Sequence, residues 1–326
     1  MHDFNRPAEA RARASVMKTK RATIPIASGP IRIGVAIPAP DQEWTAGSLW
    51  YAQKAIADWS SRDPLMEFEL KTSLTVEEQA RDIAVLVEAG INCLVILPVE
   101  SAGVTEVVKN ARRRGVFVVD TDRGILDDAH DVYVTGDNYQ YGRVAAEWMA
   151  AELKGKGKIV AISGVPCKVD SMRMKGFHDG ISHYPGIRIL GEQTGYWNKG
   201  KSQAIMESYL HRFSQIDGVY SQDDGVQEAI LMTYRDSGRS EISTFFGGTG
   251  QRATIRKILD GDPLIRATVT YPPSLIATSI SFGALASRGR NFEGFYQNQV
   301  PSQVIIRSEL ITRENAGKYY LADSIF

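Results

Sequence analysis

Residues 94–124 read LVILPVESAGVTEVVKNARRRGVFVVDTDRG, and this stretch decides the fold. The apolar run Cys93–Val99 is short and rich in β-branched residues, so it reads as a buried strand. Val104, Val107, Val108 and Ala111 then fall at the spacing that lines one face of a helix. A second apolar run, Val116–Asp120, is another buried strand. Strand, helix and strand in this order form a parallel pair joined by a helical crossover. The second strand runs straight into Asp122-Arg123, and in open α/β sheets the carboxyl ends of the strands are where ligands bind.

The same alternation extends in both directions. Upstream, Ile31–Pro38 and Glu67–Thr72 read as strands, with helices over Thr45–Ser60 and Val76–Ala89. On the latter, Val76, Ala80, Ile83, Ala84 and Val87 share one face. Downstream, Val132–Thr135 is a strand, Gly136-Asp137-Asn138 breaks the pattern, and Tyr139–Leu153 is a long helix. A second series then begins. Its strands are expected at Lys158–Ser163, Ile187–Gln193, Gly218–Ser221, Ser243–Gly247 and Arg266–Tyr271. Its helices are expected at Ser171–His183, Lys201–Phe213, Val226–Asp236, Gln251–Leu259 and Pro273–Ser287. One more strand-like run, Gln303–Leu310, closes the chain. Two successive βα series of similar length predict an α/β protein of two similar lobes, each a parallel sheet flanked by helices.

Bulk properties narrow the function. A chain of 326 residues suits two domains, and 43% hydrophobic with 23% charged residues is ordinary for a globular protein. Basic and acidic residues balance at 38 each, so no global field draws the chain to nucleic acid or to an anionic membrane. Cys93, in an apolar run, and Cys167, in a loop, are expected as unpaired thiols. No CxxC pattern or histidine cluster points to a metal site, and no cofactor motif is present. No stretch reaches the ~18 apolar residues that would span a bilayer. Residues 1–30 carry Arg6, Arg11, Arg13, Lys18, Lys20 and Arg21 against Asp3 and Glu9, without an apolar core. They read as a disordered lead-in, not an intact secretory signal. A removed or omitted signal, a misplaced start and an internal location all fit that segment.

Three stretches stand at the carboxyl ends of buried strands: Asp122-Arg123, Gln222-Asp223-Asp224 after Gly218–Ser221, and Trp197 after Ile187–Gly195. They belong to different βα series, so a ligand touching all three is clamped between lobes. No Ser-His-Asp arrangement, nucleophile elbow or metal set accompanies them, which reads as a clamp and not as an enzyme's reaction centre. GGTGQR (247–252) is a lone glycine-rich turn, and Asp127, Asp128 and Asp131 lack the alternating ligands of a calcium loop and read as solvated.

The order and spacing of several segments resemble the type I periplasmic sugar-binding proteins, the ribose-binding-like components of ABC importers. The carriers are IGVAIPAPDQEW (33–44), residues 94–124, VTGDNYQYGRVAAEWM (134–149), SMRMKGFHDGI (171–181), DGVYSQDDGVQEAIL (217–231) and RATVTYPP (266–273). The resemblance implies a three-strand hinge, with crossings near Gly136–Asn138, Tyr271–Pro273 and Val300–Gln303. It divides the chain into residues 31–136 plus 272–301 as the N-terminal lobe and 137–271 plus 302–326 as the C-terminal lobe. It also implies a periplasmic monomer that captures a small carbohydrate and passes it to a membrane permease.

Residue by residue, Asp122 and Arg123 match the family's Asp-Arg pair for ring hydroxyls, the carboxylate accepting and the guanidinium donating in a fixed fork. Arg173 matches the arginine that reaches the ligand from the second lobe. Asp223 stands where the family carries Asn or Asp for sugar hydroxyls, whereas Asp224 is expected to help cap the next helix. Trp44 and Trp197 lie in polar sequence (DQEW, TGYWNKG) and match the rings that cover a sugar's apolar face. Trp50, Trp59 and Trp148 read as packing residues. Gln42 and Tyr271 complete the set, where the family commonly has Asn and Gln.

Two departures argue against ribose itself. The turn Phe246-Gly247-Gly248-Thr249 has glycine where ribose-type members place Asp, and Leu97-Pro98 replaces Asn-Pro. A different pentose, a deoxy or branched sugar, or a polyol is expected. The lactose-repressor type of transcription regulator shares the two-lobe fold, but residues 1–30 show no helix pair for reading DNA.

Overall fold

The structure, a computed structural model, describes residues 29–288 and 301–326. The expected lead-in therefore lies outside the described residues apart from Gly29 and Pro30. In the first lobe, β1 (Ile31–Pro38), β2 (Met66–Ser73), β3 (Cys93–Ile96), β4 (Phe117–Thr121) and β5 (Val132–Gly136) alternate with α1 (Glu43–Arg62), α2 (Val76–Glu88) and α3 (Ser101–Arg113). α9 (Leu275–Ser287) and β11 (Gln303–Ile306) return to this lobe, giving a parallel sheet in the order β11-β5-β4-β3-β1-β2. Every residue of β3, β4 and β5 is buried. Strands covered on both faces need unbroken apolar runs, which is why these segments do not alternate. α1 and α9 pack over one face, and α2 and α3 over the other.

The second lobe contains α4 (Asn138–Glu152), β6 (Lys156–Ser163), α5 (Lys168–Ile181), β7 (Gly186–Thr194), α6 (Lys199–Arg212) and β8 (Gly218–Tyr220). It continues with α7 (Asp224–Asp236), β9 (Thr244–Phe246), α8 (Arg252–Asp260), β10 (Ala267–Val269) and β12 (Leu310–Thr312). Its parallel sheet runs β7-β6-β8-β9, and a parallel bridge between Thr249 and Thr270 leads on to the antiparallel pair β10-β12. α4 and α5 cover one face while α6 and α7 cover the other. The apolar cores of both sheets meet through Tyr141, Phe246 and Tyr271, which belong to one cluster with Val95 and Val119 of the first lobe.

One expected strand is two. Gln303–Ile306 pairs with β5 in the first sheet, and Leu310–Thr312 pairs with β10 in the second. The third crossing therefore lies after Ile306 and not near Val300–Gln303, and Gln303–Ile306 belongs with the first lobe. An uninterrupted β-like sequence conceals such a switch, because residues 307–309 have no turn signature. Val300 lies outside the described residues.

Candidate functional site

The cleft between the lobes is built from strand ends. β4 stops at Thr121, and Asp122 follows in the left-handed region at φ 61°. Tyr196, Trp197, Gln222 and Thr249 are also left-handed, and they follow β7, β8 and β9. Such backbone costs free energy for residues other than glycine and gathers where surrounding contacts enforce it, commonly at ligand sites. Here three of the eight non-glycine cases among the described residues, Asp122, Trp197 and Thr249, line the cleft cavity.

In the first lobe Asp122 is fixed from three sides. Its N–H donates to Val134 O at 2.9 Å, its carbonyl accepts the Tyr133 hydroxyl at 2.6 Å, and its Oδ1 accepts the Tyr271 hydroxyl. Oδ2 has no protein donor among the described residues. Burial pushes the Asp122 carboxyl upward, opposed by the Tyr271 hydroxyl and by the charges of Arg123 and Arg173. Arg123 Nη1 donates to Val99 O at 2.6 Å and Pro98 O at 3.2 Å, which ties the end of β4 to the loop after β3. Trp44 enters at the start of α1, its indole N–H donating to Tyr271 O at 2.9 Å. Gln42 caps the same helix and is half-buried.

The second lobe answers with a cation among rings. Arg173 of α5 lies with its guanidinium 4.0 Å from the Tyr141 ring centroid and 4.2 Å from that of Tyr271. Its Nε donates to Asn138 Oδ1 at 3.0 Å and its Nη1 to Gln222 O at 3.2 Å, leaving Nη2 without a protein acceptor among the described residues. Arg123 and Arg173 both stand within 6 Å of the Trp197 ring, at 5.9 and 5.7 Å. Asp223 Oδ1 accepts the Val226 N–H at 2.9 Å, and burial raises its carboxyl to about 6.

All eight residues expected from the sequence line one cavity: Gln42, Trp44, Asp122, Arg123, Arg173, Trp197, Asp223 and Tyr271. Val169 and Thr249 complete its wall, and the cavity measures about 30 Å³. Three polar atoms in this wall are buried without a partner: Arg123 Nε, Trp197 Nε1 and Thr249 Oγ1. Buried polar groups are normally satisfied, so orphans converging on one cavity mark a place for a polar ligand. Two carboxylates accept, two guanidinium groups and an indole donate, and two tryptophan rings supply flat apolar faces. Two acids offset two bases, which suits a neutral polyhydroxylated molecule.

Residues 33–282 match the periplasmic binding protein domain family. The chain belongs to that family. This periplasmic binding protein is similar to sugar-binding components of ABC importers of the ribose-binding-like kind. One relative is the ribose import binding protein of Bacillus subtilis, 26% identical over 61% of this chain and 64% of that one. Another is a galactofuranose-binding protein of Escherichia coli, also 26% identical, over 61% and 65%. The matched stretch thus spans under two thirds of these relatives' length. Among solved structures, the fructose binding periplasmic domain of a hybrid two component system superposes with a TM-score of 0.77 at 26% identity, covering 89% of this chain and 93% of that one. An ABC transporter solute binding protein from Mycobacterium smegmatis with bound glycerol reaches 0.81 at 24% identity over 91% and 99%, which speaks to the fold alone.

Three features of this binding protein differ from the sequence expectation or exceed it. Asp223, and not Asp224, is the N-cap of α7. Asp224 instead accepts Gly248 N–H and Gln251 N–H at 2.9 Å each, and the Thr268 hydroxyl, so it clamps the turn after β9 onto β10. Burial still raises its carboxyl to about 7. The glycine at 248, φ 117°, has its own cause: a Cβ there would fall 1.7 Å from the Tyr141 hydroxyl, which donates to Gln222 O at 2.7 Å. Tyr141 fills the space that a polar side chain from this turn would need.

Asn138 is the third feature. Its amide donates to Thr135 Oγ1, Gly136 O and the Tyr271 hydroxyl while its oxygen accepts from Arg173. Sequence reading placed it at a hinge break only. Its position directly after Gly136-Asp137 was the available signal. Thr249 was read only as part of a glycine-rich turn, and its left-handed backbone has no mark in the sequence.

Proposed function

We propose that this protein captures one compact neutral monosaccharide or sugar alcohol, pentose-like and not ribose itself, by hinge closure. It then delivers the cargo to the membrane permease of an ABC importer, acting as a monomer in the periplasm. The observation that carries this reading is the convergence, on one cavity, of carboxylates, orphan donors and tryptophan rings contributed by both lobes. A sugar presents hydroxyls around its edge and C–H groups on its faces, and this constellation answers both.

The cavity is narrow, about 30 Å³, and both lobes supply its wall, so loading is expected to require the lobes to part and then close on the cargo. The ligand bridges Asp122 and Arg123 on one side to Arg173 and Asp223 on the other, which favours the closed state over the open one. The narrowing effect of Tyr141 and Tyr271 supports a small cargo. The chain spans only part of the curated relatives it resembles, so their cargoes serve as candidates for a panel.

The test is a thermal-shift screen of pentoses, hexoses, deoxy sugars and polyols. A ligand at a hundredfold its dissociation constant adds about 2.7 kcal/mol of stability. The reading expects one clear hit, lost in Asp122→Ala and Arg173→Ala. A panel without any hit, or a hit indifferent to both substitutions, overturns it.

A further inference from the structure

A second recess, of about 350 Å³, lies at the hinge. Two of the three crossings form part of its wall, through Thr270–Pro273 and through Ile306, Arg307 and Glu309. Thr249 and Tyr271 belong to its wall and to that of the cleft cavity as well, so these two residues separate the spaces. The size falls within the range of small-molecule sites, roughly 300–1,000 Å³.

The wall's chemistry is specific. Ile255 of α8, Ile311 of β12 and Phe326 give it an apolar floor. Arg307 and Lys318 stand on it, and among the described residues neither side chain has an ion pair or hydrogen bond. Glu309, the acidic side chain of the wall, is engaged by the Tyr319 hydroxyl. An apolar floor and two uncommitted cations together select an apolar anion.

We propose that this recess is a second ligand site, for a compact aromatic or branched-chain carboxylate. The apolar body lies against Ile255 and Ile311, and the carboxylate faces Arg307 and Lys318. Crossing segments change their backbone angles when lobes move, so an occupant touching two of them binds the open and closed forms unequally. Occupation of the recess and of the cleft are then coupled, and the coupling is reciprocal.

The site itself is tested without reference to the cleft's cargo. Fluorine NMR of 4-fluorobenzoate with the full chain should show saturable line broadening. The neutral 4-fluorobenzyl alcohol should bind about tenfold more weakly, as should 4-fluorobenzoate with the double variant Arg307→Ala/Lys318→Ala. Leu321→Trp, which places a bulky ring at the mouth from a position that is 60% exposed, should abolish the saturable component. All three altered positions are exposed, and melting curves equal to the parent's establish that the variants are folded. Three results overturn the proposal: no saturable broadening in the millimolar range, equal binding of acid and alcohol, or undiminished binding by Leu321→Trp.

Discussion

Asp122 joins the two lobes at the scale of a single carboxylate. It receives the hydroxyl of Tyr271, which also approaches Thr135 and Asn138, and its backbone is held by Val134 and Tyr133. On the proposed reading, Asp122→Ala removes an acceptor for the cargo and leaves a hydroxyl of the cargo buried and unpaired. Calorimetry with the sugar found in the panel should show binding weakened by about 1–3 kcal/mol. Unchanged affinity would remove Asp122 from the site. Asp223 yields a pH prediction. Its carboxyl is raised by burial, from an ordinary value of 3.8 to about 6, despite the Val226 N–H. A raised folded value means a stabilising contribution that is full below 3.8 and is lost as pH rises through about 6. Unfolding free energy of the ligand-free protein should therefore decline over that window, and decline less in Asp223→Asn, which keeps a competent helix cap. Equal slopes for parent and variant would mean that Asp223 does not titrate there.

α4 and α5 set the position of Arg173 at the scale of elements. A Cβ at Gly142 on α4 would lie 1.9 Å from the carbonyl oxygen of Arg173 and 2.7 Å from the Phe177 nitrogen. The helices approach this closely because residue 142 has no side chain. Gly142→Ala must push α5 outward and carry Arg173 away from Tyr141 and Tyr271. Overpacking of this kind costs about 1–3 kcal/mol. Chemical denaturation should register that loss, and sugar binding should weaken with it; a variant as stable as the parent would refute the packing argument. The elements were largely legible in the sequence because buried parallel strands must be apolar throughout, as Cys93–Ile96 and Phe117–Thr121 are. Their carboxyl ends were legible for the same reason, and with them Asp122 and Arg123; Trp197 instead follows β7, an edge strand that is largely exposed and not the buried strand expected there. What remained hidden depends on partners distant in the chain. Residues 307–309 carry no turn signature, so the change of sheet after Ile306 could not be read. Asp223 and Asp224 are chemically identical neighbours, and only the N–H groups around them assign the cap to one and the turn to the other.

On the proposed reading, closure belongs to the whole molecule. Beyond the buried cavity, the lips of the lobes are joined by exposed ion pairs, Glu43 with Lys199 and Asp128 with Lys168, the latter at 3.7 Å. Solvent-exposed pairs contribute roughly 0–1 kcal/mol each and are screened by salt. Lys199→Ala should therefore weaken sugar binding by about fivefold or less, with the loss shrinking as salt rises. A larger, salt-independent loss in calorimetry would place Lys199 among the cargo's own contacts. The buried constellation, and not the lips, is expected to decide closure. The most direct test is the distance across the cleft. Spin labels at Glu100, at the end of the first lobe's β3 unit, and at Lys201, at the start of α6, occupy exposed positions on opposite lips, and both native cysteines are buried. Pulsed electron paramagnetic resonance should give a broad distribution reaching long distances without sugar, collapsing to one short distance when the sugar from the panel is added. A distribution that a stabilising sugar leaves unchanged would contradict a clamp that works by closing.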